Sequence, residues 1–389
     1  MLPDLGIGII GLGNAAVMHT VAIIGQEGMP PVEGAHIVGY FNHRGGDERF
    51  QQFRQRLGTE KGVELPSDIT FTTELDEFLA RDDINAVIIV TPSGEHASYG
   101  VRAAEAGKHM IMDKPLEVTL KAADYLTDAC LTQGVVLAPV SQKRFEPSVQ
   151  RTRQAIQDGK LGDLTEVHAL VPWWRDPKYY KENWRGTLQY DGGGAAMNQG
   201  IHFIDLLRHL GGEVREIFGE ARRIYHSIQT EDHAYASVGF ENGATGTIFA
   251  ATHLKSREGY KEQVIVKGTE GEIILAGGNL KQEVWQLRDN APYTDPQYES
   301  VSSASDPNII PLMAHRTQIQ NIVRHIQGSN KLAVSPDDAT RTLELILALY
   351  QSCELGRPVT LPIDRTYRPG PGYVRDLRVH GGDKKCQQT

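Results

Sequence analysis

Residues 5–16, with the sequence LGIGIIGLGNAA, decide the fold of the first part of this chain. The apolar run Leu5–Ile10 predicts a buried strand, and Val17–Ile24 predicts a helix. Between them lies G-x-G-x-x-A, beginning at Gly11, in the strand–turn–helix context that dinucleotide binding requires. The helix N terminus would direct free N–H groups at a pyrophosphate. We predict that NAD or NADP contacts this turn through Gly11, Gly13, Asn14, Ala15 and Ala16.

Strands and helices continue to alternate after this turn, which predicts a parallel sheet covered on both faces. The predicted strands are 36–41, 86–90, 109–112 and 135–140, and the predicted helices are 47–57, 96–106 and 118–133. Ligands bind beyond the carboxyl ends of such strands. Gly11, Asn42, Thr91 and Lys114 follow strands, so we expect them to converge on one crevice.

The end of the second predicted strand bears on the choice of cofactor. An acidic residue there would bind the adenosine ribose 2′-hydroxyl and repel a 2′-phosphate. The chain instead has Asn42, His43 and Arg44, with no acid before Asp47. Arg44 could bind the phosphate with help from His43, or it could lie in a solvated loop. These residues favour NADP and leave NAD open.

Two further segments carry side chains that can move protons. Lys114 ends a strand, where an ammonium can act as general acid or stabilise an alkoxide, although such a segment can also be a surface turn. Gly192–Gly194 precede a predicted helix that would place Asn198, His202 and Asp205 on one face. Asn198 could equally be an N-cap, and we expect a structural role for Asp205.

The segment before the glycine turn concentrates aromatic and cationic side chains, although only 7% of the chain is aromatic. It contains Trp173, Trp174, Arg175, Tyr179, Tyr180, Trp184 and Arg185. Aromatic rings can stack on the C–H faces of sugars, and the same residue types are also enriched at subunit interfaces. We predict sugar contact, and the two arginines leave room for a carboxylate or phosphate.

Composition restricts the class of protein. At 389 residues the chain is longer than one core usually holds, so two domains are expected. The net charge of −9 argues against nucleic-acid binding. The cysteines Cys130, Cys353 and Cys386 are far apart without CxxC spacing, as in a reducing compartment, and no metal site is predicted. No leader pattern and no run of ~20 apolar residues is visible, so we expect a cytoplasmic protein without a membrane segment.

The second half of the chain reads as strands followed by helices. The predicted strands are 165–171, 232–240, 243–253, 260–267 and 271–275, with a hairpin turn at 241–243. Amphipathic helices are predicted at 314–327 and 336–354, and residues 288–307 read as a loop. From Tyr367 onward the sequence is rich in Gly, Pro and Lys, so we expect it to pack poorly.

In this order the motifs resemble the family of glucose–fructose oxidoreductases and inositol dehydrogenases, across nearly the whole chain. The matching segments are GLGNAA at 11–16, Thr91-Pro92, GKH at 107–109 with DKP at 113–115, Arg144-Phe145, WRG at 184–186, the glycine turn through His202 to Asp205, GATG at 243–246 and GRPV at 356–359. The family usually has Glu at the position of Asp113. Many relatives have Asp at the position of Asn198, whereas some that oxidise C3 of a sugar nucleotide resemble this chain there.

The resemblance implies an α/β fold with two domains. Residues 1–140 would form a Rossmann dinucleotide-binding domain, and residues 141–363 an α/β domain with a large, mostly antiparallel open sheet that also mediates homodimer or homotetramer formation. Residues 364–389 would form a polar C-terminal tail. The implied cofactor contacts are the turn residues named above with Asn42, His43, Arg44, Thr91, Pro92, His96, Asp113 and Lys114.

The resemblance also implies the roles of the reacting groups. His202 would be the acid/base, Lys114 would stabilise the alkoxide, and Asn198 would replace the usual carboxylate. Predicted substrate contacts are Arg144, Trp174, Arg175, Tyr179, Tyr180, Trp184, Arg185, Asn198 and His202.

Three functions are compatible with these residues. The first is NAD(P)-dependent oxidation or reduction of a secondary alcohol or ketone, with C3 favoured, in a sugar, glycoside or cyclitol. The second is an NAD-dependent glycosidase that oxidises C3 transiently, eliminates the aglycone and reduces the product. The third is a non-catalytic nicotinamide-binding sensor, against which the presence of both Lys114 and His202 argues.

Overall fold

The computed structural model describes residues 4–181, 184–255, 261–277, 280–287 and 312–377. Its first sheet is parallel and six-stranded, in the order β3-β2-β1-β4-β5-β6. The strands are β1 Leu5–Ile10, β2 Ala35–Phe41, β3 Thr70–Thr72, β4 Ala86–Ile89, β5 His109–Met112 and β6 Leu137–Pro139. The helices of this part are α1 Asn14–Ile24, α2 Gly46–Lys61, α3 Leu75–Leu79, α4 His96–Glu105, α5 Leu120–Gln133 and α6 Pro147–Gln157.

The predicted Rossmann sheet is confirmed, because β1 and β4 are buried along their whole length between helical layers. Helix α1 begins at Asn14, three residues earlier than predicted, after Gly13 in an extended conformation. The last residues of the glycine motif therefore form the first helical turn. Strand β3 and helix α3 were not predicted, since three and five residues are too few to show a hydrophobic period.

The second sheet is nine-stranded and mostly antiparallel, as expected, in the order β13-β12-β11-β7-β10-β9-β8-β14, with β15 also paired to β8. Only the pairs β7–β10 and β8–β15 among these strands are parallel. The strands are β7 Leu164–Pro172, β8 Val214–Arg223, β9 His233–Phe240, β10 Thr245–Ala251, β11 Gln263–Gly268, β12 Gly271–Ala276, β13 Lys281–Gln286, β14 Val359–Thr360 and β15 Val374–Asp376. The described helices that accompany them are α7 Ile201–Gly211, α8 Leu312–Ile326 and α9 Pro336–Leu355.

Strand β8 was not predicted from the sequence, although it lies inside the sheet. Its pairing with β9 shifts register between Val214 and Glu216. The buried positions are Val214, Ile217, Gly219 and Ala221, so the first interval is three residues and the later ones are two. A β-bulge therefore breaks the alternation that identifies a strand in a sequence.

Helix α8 comes late in the chain but packs on the Rossmann domain. Ile319, Ile322 and Val323 share one hydrophobic core with Val17 and Val21 of α1. The side chain of Gln318 accepts a hydrogen bond from the Ser141 amide at 3.0 Å and donates one to the carbonyl of Pro139 at 3.0 Å. The core around the cofactor-binding helix is thus completed by residues beyond 311.

The C-terminal segment departs from expectation. Poor packing from Tyr367 onward is wrong for residues 373–376, because Tyr373 is only 2% exposed and β15 pairs with β8. A single buried tyrosine anchors a segment whose average composition suggested a loose tail. The loop predicted at 288–307 lies outside the described residues. Among the described residues, no helix combines the length and apolarity that a membrane span requires.

Candidate active site

The glycine turn after β1 leaves open space where a pyrophosphate would lie. Gly11 has φ of 113°, and a Cβ there would lie 3.0 Å from the carbonyl oxygen of Val90. A Cβ on Gly13 would meet nothing within 4 Å. No side chain caps α1, and its first turn carries no acid, so the N–H groups of this end are not screened by a protein carboxylate.

Two other strand ends meet this turn, as the topology predicts. The amide of Asp113, after β5, donates to the carbonyl of Ile89 in β4 at 3.1 Å. Thr91, just after β4, has a buried hydroxyl with no hydrogen-bond partner among the described residues. An open glycine cradle and a buried unpaired hydroxyl on the same crevice fit a dinucleotide, so the residues present suit NAD(P).

The residues after β2 are polar and partly or fully exposed, as expected for the adenosine side of the crevice. Asn42 is half-buried, and its side-chain amide donates to the carbonyl of Arg44. His43 is exposed, and its Nδ1 lies 3.2 Å from the Tyr99 hydroxyl. Arg44 is exposed as well. The arrangement leaves a cation available at this edge and is compatible with either cofactor.

His96 does not act as predicted. It is only 1% exposed, and its Nδ1 and Nε2 lie 2.9 Å and 3.2 Å from the carbonyl oxygens of Pro115 and Thr91. The buried ring is turned toward the backbone and is not open to a cofactor, which corrects its assignment as a cofactor contact. His96 holds together the two strand-end segments that carry Thr91 and Lys114.

Lys114 reaches from the Rossmann domain to the turn that precedes α7. Its Nζ donates to the backbone carbonyl of Asn198 at 2.6 Å and lies 3.4 Å from the Asn198 Oδ1. Burial lowers the pKa of Lys114, opposed by Asp113 and Asp191 and assisted by Arg185 and Arg175. The lysine predicted from a strand end and the asparagine predicted from a glycine turn are thus in direct contact.

His202 lies in the first turn of α7, half-buried. Burial lowers the pKa of His202 well below its ordinary value, and the charges of Lys114 and Lys143 lower it further, while Asp113 opposes them. A neutral imidazole at this place can accept a proton. No hydrogen bond joins it to Asn198 among the described atoms, so Asn198 serves Lys114 rather than the histidine ring.

Lys143 was not identified from the sequence. It precedes Arg144 in a short 3-10 segment, and its Nζ lies 5.0 Å from the centre of the Phe203 ring. Burial lowers the pKa of Lys143, and Glu146 and Glu262 oppose that effect. Its influence on His202 places a second lysine near the reacting groups.

Arg144 is not a substrate contact, which corrects the prediction. It is 6% exposed, and its Nε and Nη2 donate to the two carboxylate oxygens of Asp205 at 2.7 Å each. Its Nη1 donates to Asp338 at 3.1 Å, and Thr342 donates to Asp205 at 3.0 Å. The geometry supports the structural role expected for Asp205. The bidentate pair joins α7 to the segment before α6, the bonds to Asp338 and Thr342 add α9, and neither group faces a ligand.

The glycine turn leads into a π-helical segment, Ala195–Gly200, before α7 starts at Ile201. Asn198 lies inside this segment and its amide donates to the carbonyl of Gly194 at 2.8 Å, so it is not an N-cap. π-Helical turns are rare and are frequent at functional sites. Here the turn aims the Asn198 side chain at Lys114.

Glu231 anchors this turn and was not found from the sequence. Its fully buried carboxylate accepts hydrogen bonds from the amides of Gly194 and Ala196, both at 2.9 Å. It also accepts from the hydroxyls of Tyr350 at 2.9 Å and Tyr373 at 2.6 Å. A glutamate more than thirty residues after the turn gives no local signal of this role.

Asp191 is the third residue of the site that was not identified from the sequence. It is 2% exposed, and its carboxylate accepts hydrogen bonds from the Asn198 side-chain amide and from the Gly186 amide at 2.7 Å. Burial raises the pKa of Asp191, while these two hydrogen bonds and the charge of Lys114 lower it. Its position directly before the three glycines is the sequence feature that could have identified it as a site residue.

The aromatic segment divides into two groups. Tyr179 faces the site: its hydroxyl accepts from Arg185 and from Gln199 at 3.3 Å, and the Arg175 guanidinium lies 5.5 Å from its ring centre. The Gln199 Oε1 is buried without a hydrogen-bond partner among the described residues. It is therefore an acceptor that a substrate hydroxyl would satisfy.

The second group, Trp174, Tyr180 and Trp184, packs against other aromatic and cationic side chains. Trp174 packs on Tyr225 and His226, with ring centres 5.2 Å and 5.9 Å away. Tyr180 packs on His226 at 4.6 Å and donates to Thr252 at 3.0 Å. Trp184 stacks under the Arg185 guanidinium at 4.4 Å. The structure thus brings Arg175, Tyr179 and Arg185 to Lys114 but places Trp174 in an adjoining aromatic cluster.

Comparison with known families matches most of the chain. Residues 5–140 match the family described as "Oxidoreductase family, NAD-binding Rossmann fold", and residues 149–274 match the "GFO/IDH/MocA C-terminal domain".

Individual relatives agree with this assignment over nearly full lengths. The scyllo-inositol 2-dehydrogenase (NAD(+)) of Bacillus subtilis is 26% identical over 92% of this chain and 97% of its own. The D-apiose dehydrogenase of Paraburkholderia graminis is 26% identical over 85% of this chain and 84% of its own. The WlbA dehydrogenase of Bordetella pertussis, solved in complex with NADH and UDP-GlcNAcA, superposes with a TM-score of 0.78 at 25% identity, covering 93% of this chain and 99% of that one.

Proposed function

This chain belongs to the GFO/IDH/MocA family of oxidoreductases, and we propose that it moves a hydride between NAD(P) and a secondary alcohol or ketone carbon of a sugar, glycoside or cyclitol. The observation that carries the proposal is the contact of Lys114 with the π-helical turn, next to His202 and beside an open dinucleotide cradle. Relatives named as inositol and apiose dehydrogenases support the class of substrate. The Met-Asn-Gln segment at 197–199 favours C3 as the reacting carbon.

When bound, the nicotinamide ring supplies the hydride acceptor or donor. In the direction of oxidation, the neutral His202 imidazole takes the hydroxyl proton. The Lys114 ammonium stabilises the negative charge that develops on the same oxygen. In the direction of reduction, the His202 imidazolium returns the proton to the carbonyl oxygen.

Hydroxyl groups away from the reacting carbon would be held by the wall opposite the cofactor. Gln199 offers a buried carbonyl oxygen, and Tyr179 offers a ring face and a hydroxyl held by Arg185. Arg175 lies 4.9 Å from the centre of the Trp173 ring, so its guanidinium is held in one orientation. The UDP-GlcNAcA complex of the WlbA dehydrogenase supports a site of this kind for sugar derivatives.

The outer face of the nine-stranded sheet is the expected site of self-association. Phe218 on β8 is 43% exposed, and Tyr235 on β9 is 50% exposed. Large apolar side chains on an open sheet face favour a covering partner. We propose that a second copy of the chain covers this face, giving a homodimer or homotetramer.

One assay tests the proposed function against its alternatives. The protein is incubated with NAD or NADP and a panel of monosaccharides, cyclitols and aryl glycosides, while reduced cofactor and free aglycone are both followed. Net formation of reduced cofactor with any member supports the dehydrogenase. Aglycone release without net reduction would instead identify the glycosidase. Tight cofactor binding without either reaction would leave the sensor as the explanation.

A further inference from the structure

We propose that Asp191 is a positioning residue for Lys114, acting through the side-chain amide of Asn198. This inference rests on the proposed role of Lys114 in the reaction. Asp191 does not touch the reacting atoms, and its effect is transmitted by one intervening amide.

The hydrogen bonds around Asn198 determine which way its amide faces. Its Nδ2 donates to Asp191, and its Oδ1 lies 3.4 Å from the Lys114 Nζ. An ammonium needs an acceptor and a carboxylate needs a donor, so only one orientation of the amide serves both neighbours. Asp191 therefore fixes the amide with its oxygen towards Lys114.

Both partners of Asp191 are donors, which is the environment of an ionised carboxylate. One oxygen accepts from Asn198, and the other accepts from the Gly186 amide at 2.7 Å. The side chain is 2% exposed, so water does not screen its charge from the neighbouring groups. The negative charge lies one amide away from the Lys114 ammonium.

This arrangement accounts for the asparagine at a position where many relatives have aspartate. A carboxylate at 198 would lie against Asp191, and two adjacent buried carboxylates disfavour each other's ionised form. This chain has one carboxylate in the site, as those relatives do, but the carboxylate is separated from Lys114 by the Asn198 side chain. The charge lost at position 198 is thus present at position 191.

The charge matters because burial and two arginines oppose the protonation of Lys114. The charged or titratable groups that face it are Asp113, Asp191, Arg175, Arg185 and His202. Burial and the two arginines lower the pKa of Lys114, whereas Asp113 and Asp191 raise it. Removing Asp191 leaves one carboxylate against two guanidinium groups, so a smaller fraction of Lys114 remains ammonium at neutral pH.

The test measures the pKa of Lys114 directly, in the cofactor-free protein. The pH dependence of Lys114 acetylation by a trace of acetic anhydride is read by mass spectrometry, with the exposed Lys121 as internal standard. For Asp191→Asn we expect the pKa of Lys114 to fall by about one unit, and kcat on a substrate found in the panel to fall about tenfold with little change in KM. The control Asp158→Asn removes an exposed carboxylate and should change neither value.

The double variant D191N/N198D separates charge from structure. It returns a carboxylate beside Lys114, and the amide oxygen introduced at position 191 can still accept the Gly186 amide hydrogen bond. We expect it to recover the pKa of Lys114 to within ~0.3 units and kcat to within about threefold of the wild type. A purely structural role for Asp191 predicts no recovery.

Two results would overturn the inference: an unchanged pKa of Lys114 in Asp191→Asn, or a double variant no better than the single one. If Asp191→Asn does not fold, Asp191→Ser replaces it, because the hydroxyl can accept the Gly186 hydrogen bond. The acetylation readout needs no turnover, so a failure of the proposed function leaves this test intact. Turnover with an unchanged pKa would reject the role of Asp191 alone.

Discussion

The protonation state of His202 sets the pH range in which oxidation can proceed. Burial, Lys114 and Lys143 hold the pKa of His202 below its ordinary value of about 6.5. The neutral ring is the proton acceptor, so activity is complete above the lowered pKa and is lost as pH falls through it. We expect the acidic limb of the kcat/KM profile for oxidation to lie below about pH 6.5. An acidic inflection at or above about 6.5 would contradict this account.

Lys143 provides a check on the cause of that shift. The variant Lys143→Met removes a positive charge that disfavours the imidazolium, so the acidic inflection should move to higher pH. The pH profile of kcat/KM for wild type and variant measures the change. An unmoved inflection would mean that the charge of Lys143 does not contribute to the lowered pKa of His202.

Arg44 decides the preference for NADP if the residues after β2 act as proposed. A charge-assisted hydrogen bond to the 2′-phosphate is worth roughly 1.5–3 kcal/mol, which corresponds to about tenfold or more in affinity. Arg44→Ala should therefore raise the KM for NADP by at least about tenfold and leave the KM for NAD within about twofold. Arg56→Ala, on helix α2 beyond this loop, is the control. Equal effects on both cofactors would argue for NAD.

Whether the structure brings the predicted side chains together depends on where their partners lie. Lys114 and Asn198 stand next to a strand end and a glycine turn, and the structure brings them together. Arg144 and His96 were misassigned because their partners are remote or are backbone atoms. Arg144 forms an ion pair with Asp338, nearly two hundred residues away. No local sequence pattern predicts a pair over that separation.

The π-helical turn depends on one buried carboxylate. Glu231→Gln removes the charge and replaces one acceptor oxygen by an NH₂ group that faces a backbone N–H, so one hydrogen bond is lost and the other three are weakened. Each bond to a charged group is worth roughly 1.5–3 kcal/mol, so we expect the free energy of unfolding to fall by about 3–5 kcal/mol. Urea unfolding measures the loss. Tyr350→Phe removes one bond and should cost less than half as much; equal losses would show that Glu231 is not the anchor.

Regular elements were predicted well where burial follows a simple period. The strands β1 and β5 have the predicted limits, and α9 differs at one end by a single residue. The bulge in β8 and the π-helical turn before α7 were missed, because each inserts residues out of period. Both irregularities are stabilised by contacts with distant elements and cannot be read from neighbouring residues.

Self-association through the open sheet face makes a prediction about assembly. Phe218→Glu with Tyr235→Glu places two carboxylates on that face, where a partner would have to desolvate them. We expect sedimentation velocity to show a smaller species with a retained circular dichroism spectrum. Tyr125→Glu, at a 62% exposed aromatic residue on α5, is the control and should leave the assembly unchanged. An unaltered sedimentation coefficient in the double variant would exclude this face.

The two-domain arrangement could be predicted from the sequence. The packing of a late helix on the N-terminal domain could not. Alternating strands and helices identified the Rossmann sheet, and the later strands identified the second sheet. The return of α8 to α1, where His315 and His19 have ring centres 4.5 Å apart, joins segments almost three hundred residues apart. Contacts of that separation leave no trace in composition or periodicity.

The hydrogen bond from Tyr373 to Glu231 has a consequence for the timing of synthesis. A nascent chain emerges from its N terminus, so the Rossmann sheet and every proposed catalytic side chain leave the ribosome before Tyr373 does. The carboxylate that anchors the Asn198 turn still lacks one of its four donors at that moment. A message cut short before this codon would yield a chain with all its reacting groups and an incomplete anchor. The anchor of the Asn198 turn is therefore complete only after translation has continued past Tyr373.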